Sequence, residues 1–403
     1  MSIAQSSNIN ADDIDDDTKE KLKGDNIGDT LYSQSFVLKT LMQLSDIKWS
    51  QDMEQDLCFL WDMTLDKDVC IYLFQLNYPS LACSVIIQHV EERLTEILVG
   101  ILANLLIADC EKNISDNELQ IALNSLESSH PAILIQVMRV IESIAFYMPE
   151  RIILIGKNML DKMQYILKYS ENYMLITHTL QAFLKLTDNF KLAESEVNAQ
   201  LYVSVAIGFD TIFSVEYNNF EVEIDMEETS KVVKIFLQLI ANLSEYANRY
   251  NCREDISTCI NHCPKLSTTI CRLLKHFSDE SNLFPISRDF NTFVQCFLII
   301  FTTRSVTIIS DLEKGIFTDI FQPLCKILYY LHKCKSEVTE TFNVVLELIA
   351  FTIYSVDRKA VLYELKQLQY RRGIVILNSL KENSKSYDFN ISENLRFLFT
   401  HFK

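Results

Sequence analysis

The stretch Leu134–Met148, LIQVMRVIESIAFYM, decides how the chain folds. Its apolar residues Leu134, Val137, Met138, Ile141, Ile144, Ala145 and Met148 recur at i, i+3, i+4 and i+7. That spacing is the stripe of an amphipathic helix with one buried face. Phe236–Tyr250 repeats it with Phe236, Leu239, Ile240, Leu243, Tyr246, Ala247 and Tyr250, and Ile97–Ile107 is apolar nearly all round, which predicts a fully buried helix. The breakers fit. The 403 residues hold 7 Gly and 6 Pro, where average usage would give roughly 48 together. A β architecture needs a turn every few residues, usually built from those two, so it is excluded. The scarcity also removes phosphate loops: neither GxGxxG nor GxxxxGK[ST] occurs. Pro79, Pro131 and Pro149 stand where first-turn prolines belong, and Ser115–Glu118 has capping-box spacing.

Comparable apolar doublets give a period. Ile101/Leu102, Val137/Met138, Phe183/Leu184, Leu239/Ile240, Ile299/Ile300 and Leu348/Ile349 have second members 36, 46, 56, 60 and 49 residues apart. Armadillo and HEAT units run about 40–47 residues. The predicted fold is all-α, an armadillo/HEAT-like α-solenoid of irregular helical repeats, with a compact bundle as the alternative. Residues 1–30, dense in Asp and Glu, read as a disordered acidic tail. Residues 31–403 read as one armadillo-like helical domain, interrupted by an acidic loop or insertion near 216–228.

The charge balance limits partners. Fifty-four Asp and Glu against 37 Lys and Arg give −17. Such a surface repels nucleic acid and anionic membrane, whose binding rests on attraction of the opposite sign. The expected partners are other proteins, with basic segments favoured. The N-terminal residues lack a signal-peptide pattern and the apolar run Ile97–Ala108 is too short to span a bilayer. An intracellular, soluble protein with buried reduced cysteines is expected.

Catalytic signatures are absent, and no enzyme and no cofactor are expected. The Cys/His group Cys252, Cys259, His262, Cys263, Cys271 and His276 is the alternative, a zinc-binding or enzymatic use. It has CxxxC rather than CxxC spacing, so thiols buried between helices are the plainer reading. The basic run from Arg358 to Arg372 reads as the polar face of a C-terminal helix or as a contact for an acidic partner. Asn104 and Asn242 fall in matching ILAN and LIAN strings, two residues after their doublets. Side-chain amides can both donate to and accept from a bound peptide backbone, so both are candidate partner-binding residues; capping or inter-helix packing is the other reading. An armadillo ladder pairs such an Asn with a Trp one turn earlier, yet Gly100 and Gln238 occupy those positions. Asp62, Asp66 and Asp68 either cap helices at the N-terminal end of the stack or form an acidic contact for a basic partner.

Three segments carry a resemblance: GDNIGDTLYS (24–33), CFLWDMTLDKDVCIYLFQLNYPSL (58–81) and RLTEILVGILANL (93–105). Together they resemble the serum amyloid A-like family, also called synoviocyte-proliferation-associated protein. The resemblance covers residues 24–106. It implies an armadillo-type helical fold, no catalytic residues, and a nuclear protein, with a cytosolic pool allowed, that promotes cell proliferation. The segment Ser45–Gln55 is shorter than the acidic or Ser-rich linker common in that family.

Overall fold

The computed structural model describes residues 25–46, 49–108, 114–188, 192–217, 226–250, 264–303, 314–387 and 389–402. Among these the chain is helical and holds no strand, only an isolated bridge between Asn26 and Ser33. It divides into two compact units, 1–162 and 163–403.

The first unit carries α1 (Gln34–Asp46), α2 (Gln51–Met63), α3 (Lys67–Gln75), α4 (Tyr78–Gln88), α5 (Glu92–Ile107), α6 (Asp116–Asn124) and α7 (Pro131–Tyr147). The starts follow the sequence signals. Pro79 and Pro131 occupy the first turns of α4 and α7, where a missing N–H breaks no helical bond. Ser115 and Glu118 form the reciprocal capping box on α6. α2 packs against α5, and α5 against α7, with α4 and α6 as a second row. All but one residue of α5 from Ile97 to Leu106 are fully enclosed, with only Asn104 slightly open, as its uninterrupted apolar character predicts.

The second unit begins within α8 (Lys157–Tyr169) and continues through α9 (Tyr173–Thr187), α10 (Ala199–Tyr217), α11 (Met226–Tyr250), α12 (Pro264–Phe277), α13 (Glu280–Leu283), α14 (Arg288–Thr303), α15 (Lys314–Lys333), α16 (Thr339–Ser355), α17 (Arg358–Gln367), α18 (Tyr370–Asn383) and α19 (Ser392–His401). Here α9, α11, α14 and α16 pack successively, while α12, α15 and α18 form a second succession. The doublets that set the period fall on α5 and α7 in one unit and on α9, α11, α14 and α16 in the other, and the second residue of each is buried. Each unit is thus a stack of helical repeats. In the second, Phe209 of α10 stacks on Phe236 of α11 at 3.7 Å. Burying each such ring contributes about 1.5–3 kcal/mol. Tyr202 donates to the Leu243 carbonyl at 2.8 Å, and the Tyr246 hydroxyl accepts the Leu192 N–H at 2.9 Å, so both polar tips are satisfied inside the core.

The helical part forms two compact units. Structure is also described before residue 31. Residues 25–33 form a turn with Ile27 buried, because Asp25 accepts from the N–H and hydroxyl of Ser35 at 2.8 and 2.7 Å and also from the hydroxyl of Ser33. Those bonds hold the Asp25 carboxyl below its ordinary pKa. The acidic residues of 1–24 lie outside the described residues. So do 218–225 of the acidic stretch, whose flanks end α10 and begin α11.

Cysteines in the described residues are free. Burial pushes the Cys83 and Cys296 thiols up to about 12 and Cys271 to about 11, so all three stay protonated at neutral pH. Among the described residues no single helix is long and apolar enough to cross a membrane.

Candidate interaction site

Asn104 stands on α5 at 7% exposure, and its amide joins three helices. Nδ2 donates to the hydroxyl of Thr64 at 2.8 Å. Thr64 caps the C-terminus of α2 and itself donates to the Trp61 carbonyl at 2.5 Å. Oδ1 accepts from Arg139 of α7 at 2.5 Å, while a second arm of that guanidinium donates to Gln136 at 2.7 Å. Burial holds the Arg139 pKa down, and Glu142 pulls it the other way. The guanidinium thus meets two neutral amides, with Glu142 as the charge beside it.

The aromatic partner missing from α5 comes from α2. The ring of Trp61 lies on Gly100 so closely that a Cβ there would sit 2.2 Å from Cζ2 and 2.4 Å from Cε2. One turn along α5 from this contact is Asn104, so Trp61, Gly100, Asn104 and Arg139 make one junction. Gly within an unbroken apolar helix signals such a close approach. What the sequence does not reveal is which aromatic fills the space, since Trp61 lies on a different helix.

The second unit repeats the core of this junction. Asn242 of α11 donates to the Thr187 hydroxyl at 3.2 Å, and Thr187 donates back to the Phe183 carbonyl at 2.9 Å. Sequence separations are 40 residues for the first pair and 55 for the second, each one repeat. The remaining contact differs: Asn242 also donates to the Asp188 carboxylate at 2.9 Å, and Lys185 lies 3.8 Å from the same carboxylate. Both asparagines thus link successive stacked helices.

The three aspartates separate. Asp66 caps α3, accepting the Asp68 N–H at 2.9 Å. Asp68 accepts the Asp29 N–H at 3.1 Å. Gly28 has φ +53°, and a Cβ there would lie 2.2 Å from Asp68 Oδ2, so glycine alone fits this clasp. Asp62 is exposed on α2. It shares that helix's outer face with Asp52, Asp56 and Phe59; counted from Asp52, Asp56, Phe59 and Asp62 stand at i+4, i+7 and i+10. Phe59 is 51% exposed and receives edge-to-face contacts from Phe36 at 5.2 Å and Tyr32 at 6.4 Å. Sequence reading missed this aromatic cluster because Phe36 and Tyr32 stand 23 and 27 residues before Phe59, beyond the reach of a single-helix pattern.

Of the Cys/His group, Cys252, Cys259, His262 and Cys263 lie outside the described residues. Cys271 is half-buried on α12, and His276 neighbours Asn282 Nδ2 at 3.4 Å. Among the described residues no set of three His, Cys, Asp or Glu side chains could hold a metal.

Fold and junctions define the class: an all-α protein of stacked helical repeats with an asparagine amide joining successive helices in each unit. Part of the chain is similar to Protein saal1 of Danio rerio, 38% identical over 104 residues, 23% of this chain and 22% of that protein. It is also similar to Protein SAAL1 of Homo sapiens, 31% identical over 138 residues, 29% of each, and to its Mus musculus counterpart at 30% over the same length. These matches span less than a third of the relatives' length. No family model matches the chain. A circular tandem repeat protein with novel repeat topology and enhanced subunit contact surfaces aligns over 92% of this chain and 95% of its own. It is 12% identical with a TM-score of 0.29, too low to bear on fold or function.

Proposed function

We propose that the chain is a non-enzymatic, armadillo-type scaffold of the serum amyloid A-like family, binding another protein through the outer face of α2. The observation that carries this is Phe59, a phenylalanine half open to solvent and braced by two further rings. A braced aromatic loses little freedom on binding, which is the character of an interface anchor. Asp52, Asp56 and Asp62 surround it with negative charge, which favours a partner carrying basic residues beside an apolar one. Asn104 serves this role indirectly, by holding the C-terminal end of α2 through Thr64, while Asn242 holds a junction of the second unit. The partial similarity to SAAL1 proteins supports the family part of this reading, and the family resemblance implies a role in promoting cell proliferation, in the nucleus with a cytosolic pool.

The test is affinity capture with the wild-type chain and with Phe59→Ser plus Asp62→Lys. Because Phe59→Ser gives up the ring contacts with Phe36 and Tyr32, circular dichroism and the melting temperature of the variant are compared with the wild type first. Partners held by the wild type should be lost from the variant. Equal capture by Asn104→Ala plus Asn242→Ala of whatever fraction remains folded supports the indirect role. If Phe59→Ser/Asp62→Lys captures the same partners as the wild type, the α2 face is not the binding surface.

A further inference from the structure

The basic run of the C-terminal region is turned outward by a buried carboxylate. Glu364 lies inward on α17 at 5% exposure. It accepts from the hydroxyl of Thr318 at 2.8 Å and the amide of Gln322 at 2.9 Å, both on α15, while the same amide donates to its carbonyl at 2.7 Å. These bonds fix the rotation of α17. Val361 and Leu365 pack inward with it, and the opposite side presents Lys359, Tyr363 and Lys366 at i, i+4 and i+7, all exposed. The next helix opens with exposed Tyr370 and Arg371. Tyr363 and Tyr370 are 63% and 61% exposed. Among the described residues none of Lys359, Lys366 and Arg371 has an ion-pair partner. At the two ends of the run the charge is placed on aromatic rings, Arg358 on that of Phe397 at 4.8 Å and Arg372 on those of Tyr329 and Tyr330 at 5.3 and 5.9 Å.

We propose that this face docks an acidic peptide segment of a partner protein. Three unpaired cations next to two exposed tyrosines, on a chain of net charge −17, form a local field opposite to that of the whole molecule. Charge screening decides the class of partner. Beyond about 8–10 Å at physiological salt the patch is masked. A short carboxylate-rich segment feels mainly the patch, whereas a long polyphosphate or an anionic bilayer also faces the acidic remainder. The tyrosines add flat apolar area and a hydroxyl each, suited to the apolar residues between carboxylates. This surface is separate from the α2 face and of opposite sign, so its failure leaves the α2 reading intact.

The experiment is fluorescence anisotropy of the full chain with a labelled peptide of repeating Glu-Glu-Leu. A labelled single-stranded oligonucleotide and phosphatidylserine vesicles serve as competing anions. The wild type should bind the peptide more tightly than either, with affinity falling as salt rises. Lys359→Glu/Lys366→Glu/Arg371→Glu should weaken binding at least about tenfold, about 1.4 kcal/mol. Tyr363→Ala/Tyr370→Ala should weaken it less. The same charge change placed elsewhere, Lys39→Glu/Lys157→Glu/Lys275→Glu, should have little effect. Circular dichroism of each variant should match the wild type, all these positions being exposed. The proposal is overturned if the peptide does not bind, if both triple variants weaken it equally, or if oligonucleotide or vesicles bind more tightly.

Discussion

Asn104 and Asn242 occupy near-identical strings and donate to a threonine one repeat earlier, yet their surroundings divide. In the first unit the amide is nearly closed from solvent, its oxygen takes an arginine, and a tryptophan ring fills the space above a glycine. In the second the side chain is half-exposed, and its nitrogen meets a carboxylate that lies near a lysine. Aligned on the Asn–Thr pair, Leu184 and Gln238 stand where Trp61 and Gly100 do. One junction pairs a large ring with the gap above a glycine, while the other has two medium side chains at the matching positions. The shared hydrogen bond sets the register of stacking, and the neighbours set how much each junction is worth.

The sharpest way to break this contrast is Gly100→Ala. The added methyl meets a rigid ring rather than a flexible chain end, so urea unfolding should show a loss of about 2–3 kcal/mol in the first unit. Trp61→Leu in the same chain should recover part of it by copying the second unit's pairing. If Gly100→Ala is neutral, the ring does not constrain that helix.

A smaller effect separates the asparagines. Asn104→Ala leaves the Thr64 hydroxyl and one arm of Arg139 without their buried partner, which costs about 2–3 kcal/mol. Asn242→Ala, closer to solvent, should cost about 1 kcal/mol. Replacement by aspartate distinguishes them by sign. In Asn104→Asp the carboxylate still accepts from Arg139, whereas in Asn242→Asp it faces Asp188 and raises the pKa of the pair. The Asn242→Asp penalty is therefore present at neutral pH and fades as acid protonates one carboxyl. Thermal melts at pH 7 and pH 4 check this; equal pH dependence of the two variants would refute the assignment.

The smallest effect concerns the turn at 25–33. The Asp25 carboxyl is held below its ordinary value of 3.8. Its contribution is therefore present above that value and lost as pH falls through the lower folded value. Hydrogen exchange at the Ser35 amide should accelerate below about pH 4, and Asp25→Asn should show that faster exchange already at neutral pH.

How much of this was legible beforehand follows the distance over which each feature acts. The doublet period placed buried positions on α5, α7, α9, α11, α14 and α16, because helical amphipathicity is a local property. The capping box at Ser115–Glu118 and the prolines opening α4 and α7 were local too. The ILAN and LIAN strings marked the two asparagines, but a linear pattern cannot say that their amides turn to Thr64 and Thr187. Gly100 was visible only as the absence of tryptophan, because Trp61 reaches it from another helix. Asp68 belongs with Asp29 and Gly28 for the same reason, and the division near residue 162 has no linker composition to announce it.

The clasp between Gly28 and Asp68 also sets an order of events at birth. Asp68 is made 39 residues after the amide it holds. At about 5–20 residues per second the ribosome needs roughly 2–8 s to supply it. During that interval the turn at 25–33 has its local bonds from Asp25 to Ser33 and Ser35 but lacks the hold of Asp68, so it is tied to the rest of its unit only once α3 has been made. A turn near residue 28 thus waits on a helix that the ribosome has yet to make.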